Sequence, residues 1–137
     1  MAEGASSLRQ QGIAALQAGN LDGAISLLHQ ALEADDGDAA SRALLGIAYS
    51  QKGLHDQACL ALQTAAAQDR GNASIRFNLG MVLERAGNAA GAISAYQEAL
   101  RLQPAHPQAR QKLAALGAAP RAAAPAAPPT PAADAPP

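Results

Sequence analysis

The stretch ASIRFNLGMVLERAGNAAGAISAYQEALRLQPAH, residues 73–106, decides the fold. Ile75, Leu79, Val82, Leu83 and Ala86 recur at helical spacing and make one apolar stripe. Gly87-Asn88 breaks that helix, because both residue types tolerate the left-handed conformation of a helix end. A second stripe follows at Ala92, Ile93, Tyr96, Ala99 and Leu100. It stops before Pro104, which has no N–H to donate and disfavours helix in the residue ahead of it. Two apolar helices joined by so short a turn predict an antiparallel hairpin. Gly80 lies inside the first helix, where it costs about 1 kcal/mol relative to Ala. Its presence there predicts close helix approach, with Gly80 and Ala92 leaving room for the facing backbone.

Working outward, the same pattern occurs twice more at a spacing of 34 residues. Gly12, Gly46 and Gly80 form one column; Gly19, Gly53 and Gly87 form another. Ala24, Ala58, Ala92 and Ala31, Ala65, Ala99 keep the same register, with no insertions. Other columns conserve size and polarity rather than identity, as in Leu28, Leu62, Tyr96 and in Ile25, Cys59, Ile93. Stacked units of this kind bury a continuous core that no single unit can bury alone.

Composition agrees. Alanine supplies 38 of the 137 residues and leucine 17, whereas the chain has no Trp, one Phe and two Tyr. Ala and Leu favour helix, and scarcity of β-branched and aromatic residues excludes an all-β fold. The expected class is all-α: an α-solenoid of three helical hairpins over residues 5–38, 39–72 and 73–106. A capping helix is expected over 107–117, opened by Pro107 and closed by Gly117. Residues 118–137 hold ten Ala and seven Pro, which predicts a disordered tail or linker. A net charge of −1 argues against a nucleic-acid partner held by phosphate contacts. No segment reads as a signal peptide or membrane span, so a cytoplasmic location is the default expectation.

These columns resemble the tetratricopeptide repeat family, whose pattern runs Trp, Leu-Gly, Tyr, Ala, Phe, Pro at set offsets. Residues 39–72 supply Leu45-Gly46, Tyr49, Gly53 and Ala58, and residues 73–106 supply Leu79-Gly80, Gly87, Ala92, Tyr96 and Pro104. The family's Trp is missing throughout; Leu8, Arg42 and Arg76 stand in its column. The first unit fits least well, with Gln11 and Ala15 at apolar columns, and reads as a polar cap.

The resemblance implies a concave groove lined by the first helix of each hairpin, where peptides bind. Its columns map onto Arg9, Gln10, Ile13, Leu16 and Gln17 in the first unit. The second contributes Ala40, Ala43, Leu44, Ile47, Ser50 and Gln51. The third contributes Ser74, Phe77, Asn78, Met81, Glu84 and Arg85. Ile13, Leu44, Ile47, Phe77 and Met81 are expected to bury a partner's apolar side chains, with Ala40 and Ala43 leaving a depression beside Phe77. Gln10, Gln51, Asn78 and Arg85 are expected to set register by hydrogen bonds. The basic cluster with which some members clamp a terminal carboxylate is absent; Arg9 alone stands for it, and Ile13, Leu44, Ser74 and Asn78 replace the rest. The implied function is a non-catalytic scaffold or adaptor for an apolar peptide or an amphipathic helix. A chaperone-like assembly factor and a homodimerising module are the alternatives.

Other residues point to no chemistry. Cys59 shares a column with Ile25 and Ile93, which predicts a buried small hydrophobe. His29, His55 and His106 occupy unlike positions, and no Cys/His spacing matches a metal site. Asp35, Asp36 and Asp38 read as a solvated turn with a helix-capping Asp. No cofactor and no catalytic residue is expected.

Overall fold

The computed structural model describes residues 2–117, and the expected tail lies outside them. Seven helices follow one another: α1 (Ala2–Gln17), α2 (Leu21–Ala34), α3 (Ala39–Gln51), α4 (His55–Gln68), α5 (Ala73–Arg85), α6 (Ala89–Leu102) and α7 (Pro107–Ala115). The described residues contain no strand. Each helix packs on its neighbours in sequence, and α1, α3 and α5 also touch side by side. That arrangement is an α-solenoid of three hairpins closed by α7.

The turn inside each hairpin is the same object made three times. Gly87 has φ of 88°, and its N–H reaches the Glu84 carbonyl at 3.0 Å while Asn88 N–H reaches Leu83 at 2.9 Å. These two bonds satisfy carbonyls left over at the end of α5, and a side chain at that φ would be strained. The other two turns repeat both bonds: Gly19 N–H to Leu16 and Asn20 N–H to Ala15, Gly53 N–H to Ser50 and Leu54 N–H to Tyr49. The next helix then starts on a side-chain cap. Asn20 accepts from Gly23 N–H at 3.0 Å and Asn88 from Gly91 N–H at 2.9 Å. The middle hairpin has Leu54 in that column; it offers no cap and is 39% exposed.

The glycine column inside the first helices controls the hairpin's width. A Cβ on Gly80 would lie 2.5 Å from Tyr96 Cε1; on Gly46, 2.7 Å from Leu62 Cγ; on Gly12, 2.9 Å from Leu28. Close approach is therefore real, and at Gly80 the nearest atoms are those of the Tyr96 ring. At Gly46 a backbone atom, the Ala58 carbonyl oxygen, also comes within 3.1 Å. Leu28, Leu62 and Tyr96 are fully buried as a result.

His106 gains a role that its sequence position did not suggest. It caps α7, its Nδ1 accepting from Ala109 N–H at 3.2 Å, and is itself buried. Leu113 is buried and Leu116 half-buried against the last hairpin, while Arg110 and Gln111 face water. Cys59 is half-buried beside the central cluster rather than fully buried. Burial first, and then Asp56, pushes its thiol above the ordinary range, which disfavours the reactive thiolate.

Two stability measurements check this account. Gly80→Ala should destabilise the chain by about 1–3 kcal/mol through overpacking, while Gly4→Ala, with nothing within 4 Å, should be neutral or better. Leu54→Asn should add about 1 kcal/mol by supplying the missing cap. Thermal unfolding of the three variants reads both effects; a Gly80→Ala protein as stable as its parent would refute the width argument.

Candidate functional site

The first helices α1, α3 and α5 present one continuous strip of three adjoining clefts. The first, about 240 Å³, is lined by Arg9 and Ile13 from α1, by Ala40, Ala43, Leu44 and Ile47 from α3, and by Asn72, Ser74, Ile75 and Asn78 at and after the start of α5. The second, about 60 Å³, shares Ile47 and Asn78 with it and adds Ser50, Gln51, Met81, Val82 and Arg85. The third, about 270 Å³, shares Met81 and Arg85 and reaches Glu84 and Lys112. Helical spacing explains the continuity: Leu44, Ile47 and Gln51, like Asn78, Met81 and Arg85, lie three or four residues apart and so share a face.

Thirteen of the groove residues expected from the sequence thus come together: Arg9, Ile13, Ala40, Ala43, Leu44, Ile47, Ser50, Gln51, Ser74, Asn78, Met81, Glu84 and Arg85. Gln10, Leu16, Gln17 and Phe77 do not line these clefts. Phe77 instead packs between Tyr96, 5.5 Å between ring centroids, and His106, 5.0 Å away. The depression beside Ala40 and Ala43 exists, but its far wall is Asn72, Ser74, Ile75 and Asn78. Phe77 is half-buried, its ring tilted against partners on α6 and at the head of α7.

The polar groups of the strip divide into two kinds. Some are already engaged. Arg9 Nη1 donates to Asp38 Oδ2 at 2.6 Å, and Ser41 donates to the same oxygen at 2.6 Å. Asp38 also caps α3 through Ser41 N–H, and its side chain is only 9% exposed. Burial pushes its carboxyl up, but the bonds from Ser41 and Arg9 outweigh that and hold it below the usual carboxylate range. The acidic turn is therefore no simple solvated loop: Asp35 binds Gly37 N–H, Asp36 binds Arg42, and Asp38 ties α1 to α3. At the other end, Tyr96 donates to Glu84 Oε1 at 2.8 Å and Lys112 Nζ lies 3.5 Å from it. Burial, then Glu84, pushes the Tyr96 phenol far up, so it stays a neutral donor.

Other polar groups are unengaged. Ser50, 5% exposed, has a buried Oγ with no hydrogen-bond partner among the described residues. The side chains of Gln51, Asn78 and Arg85 line the same cleft. A buried unpaired hydroxyl costs free energy until an acceptor or donor reaches it. Ser50 belongs to the wall of the second cleft together with Ile47 and Asn78. Among the described residues no group of three His, Cys, Asp or Glu is placed to hold a metal, and no helix is long and apolar enough to cross a membrane.

Comparison with known proteins adds to this geometry. Family models described as tetratricopeptide repeat match residues 15–79 and 73–106. No curated protein matches the chain. Among solved structures, the first TPR domain of human RPAP3 superposes with a TM-score of 0.82 at 20% identity, covering 85% of this chain and 92% of that one. The first TPR of Spaghetti (RPAP3) bound to an HSP90 peptide superposes with a TM-score of 0.80 at 20% identity, covering 85% and 93%. A Thermobaculum terrenum O-GlcNAc transferase aligns with a TM-score of 0.78 at 26% identity, over 84% of this chain but only 22% of the transferase. A fold of this kind is typically a non-catalytic interaction module.

The Asp38 knot yields a pH prediction. A carboxyl held low in the folded state contributes stability that is fully present above its unfolded value, about 3.9, and is lost as pH falls through the folded value. Asp38→Asn keeps a capping side chain but removes the charge facing Arg9. The Tm gap between parent and variant should be open at neutral pH and should close in strong acid. A gap independent of pH would mean that Arg9 contributes nothing through charge.

Proposed function

The chain belongs to the tetratricopeptide repeat family, and from that premise we propose that it is a scaffold whose strip on α1, α3 and α5 takes an apolar peptide segment or the apolar face of an amphipathic helix. Ile13, Leu44, Ile47 and Met81 are the groups against which the partner's side chains are buried. Gln51, Asn78 and Arg85 hold its register. The observation that carries this reading is the continuity of the strip, in which Ile47 and Asn78 are shared by the first two clefts and Met81 and Arg85 by the last two.

Apolar side chains are favoured over a terminal carboxylate for an electrostatic reason. Arg9, the basic residue best placed in the first cleft, is already neutralised by Asp38 at 2.6 Å. The RPAP3 domain is recorded with an HSP90 peptide; here the corresponding strip supports a peptide partner of different character. Met81 adds an adaptable surface suited to more than one partner sequence. Shielding of a hydrophobic client segment is the same contact used for a chaperone-like purpose. Pairing of two copies through the strip is the rival use of it.

Ile47→Asp separates these readings. It is half-buried, so the helical signal and Tm should stay close to those of the parent. Capture from the native lysate with the full chain should retain a protein that the variant does not retain. A severe loss of Tm in Ile47→Asp would make it core and overturn the proposal. A parent chain that doubles its mass in solution, with Ile47→Asp monomeric, would favour pairing of copies instead.

A further inference from the structure

On the opposite side of α5 from the strip, a third arrangement of polar groups has no part in peptide binding. An open cleft of about 380 Å³ between α4, α5 and α6 has Leu79, Ala66 and Ala67 in its lining and Arg70, Arg76 and Arg101 around it. Arg101 is engaged: its Nε and Nη2 donate to Glu98 at 2.9–3.2 Å. Arg76 differs. Its Nε is buried and has no hydrogen-bond partner, although its charge helps, after that of Arg101, to hold Glu98 below its usual range. Asp69, the acid beside Arg70, receives a bond from Asn72 Nδ2 at 3.0 Å.

The 34-residue register says what is missing around Arg76. Arg42 is its counterpart one repeat earlier, and Arg42 is fully served. Its Nε donates to Gln68 Oε1 at 3.2 Å. Its Nη2 donates to the Asp36 carbonyl at 2.8 Å and to Asp36 Oδ1 at 3.0 Å. Advancing those two partners by 34 gives Leu102 for Gln68 and Arg70 for Asp36. An amide acceptor has become apolar and a carboxylate has become a second guanidinium. The side-chain acceptors of the first site are thus lost in the second, and one of them gives way to a group that itself needs an acceptor.

We propose that Arg70 and Arg76 form a binding site for an oxyanion, a carboxylate or a phosphate, seated where the Asp36 oxygens sit in the preceding repeat. A guanidinium pair of this kind recognises planar or tetrahedral oxyanions by charge-assisted hydrogen bonds. Glu98 occupies Arg101 and leaves the other two arginines for the ligand.

The test reads arginine Nε–H resonances of the full chain by ¹⁵N NMR. Sodium phosphate and sodium acetate are titrated separately against sodium chloride at matched ionic strength. Arg42 is the internal reference, because its partners are built in. The Arg76 resonance should move saturably with at least one oxyanion, while that of Arg42 stays in place. A response to phosphate alone assigns the site to phosphate; a response to acetate as well assigns it to carboxylates too. Arg70→Asp, which restores the acid of the earlier repeat at an exposed position, should weaken the response about tenfold or more and bring the Arg76 resonance towards that of Arg42. Equal movement of Arg42 and Arg76, no movement of Arg76, or an unchanged response in Arg70→Asp would overturn the proposal.

Discussion

Everything in the array depends on the absence of a Cβ at Gly12, Gly46 and Gly80. Leu28, Leu62 and Tyr96 lie over those positions with ring or methyl carbons 2.5–2.9 Å from where the Cβ would be. Any side chain there pushes the second helix of the hairpin outward. Interiors pack at nearly crystalline density, so such a shift does not stay local. It moves the surface on which the next hairpin stacks, and with it the spacing of α1, α3 and α5. The candidate strip is a consequence of that spacing, since its clefts are walled by residues from adjacent first helices.

Polar contacts between repeats then select among nearly equivalent stackings. Lys52 with Asp22 is an exposed pair, of the kind that contributes little. Arg9 with Asp38 is different, because the carboxylate is nearly buried, caps α3 and accepts from Ser41 as well. Breaking one member there leaves a group in need of a partner inside the contact between α1 and α3. The same logic in reverse marks Arg76, where the repeat keeps the cation and loses its acceptors. Variation within a repeat column thus carries information that the repeat itself does not. Identical columns make the scaffold; the columns that change make the individual surface.

Much of the candidate strip was legible in the sequence, because the resemblance to the family implies which columns of the 34-residue register line the groove. Ile13, Leu44, Ile47, Asn78 and Met81 fall in those columns. Phe77 falls in one of those columns too, and its ring neighbours, Tyr96 and His106, come from sequence positions 19 and 29 residues later. The orphaned Ser50 hydroxyl had no signal in the sequence at all. A serine in a helix ordinarily has several acceptors within reach, and only packing decides that none is met.

What the sequence by itself determined is the helical class, the hairpin unit, its turns and the order of the stack. Those depend on local physics: periodic apolar residues, glycine at positive φ, proline past a helix end, and a period that admits no insertions. Which side chains meet was decided only by the tertiary structure. The ring over Gly80, the joining of Arg9 to Asp38, the use of His106 as a cap and the unserved Arg76 all bring together groups distant in the chain or leave one without a neighbour. Pattern reports which face a residue occupies, whereas the distance and direction to a partner depend on how wide each hairpin is and how far the next one turns.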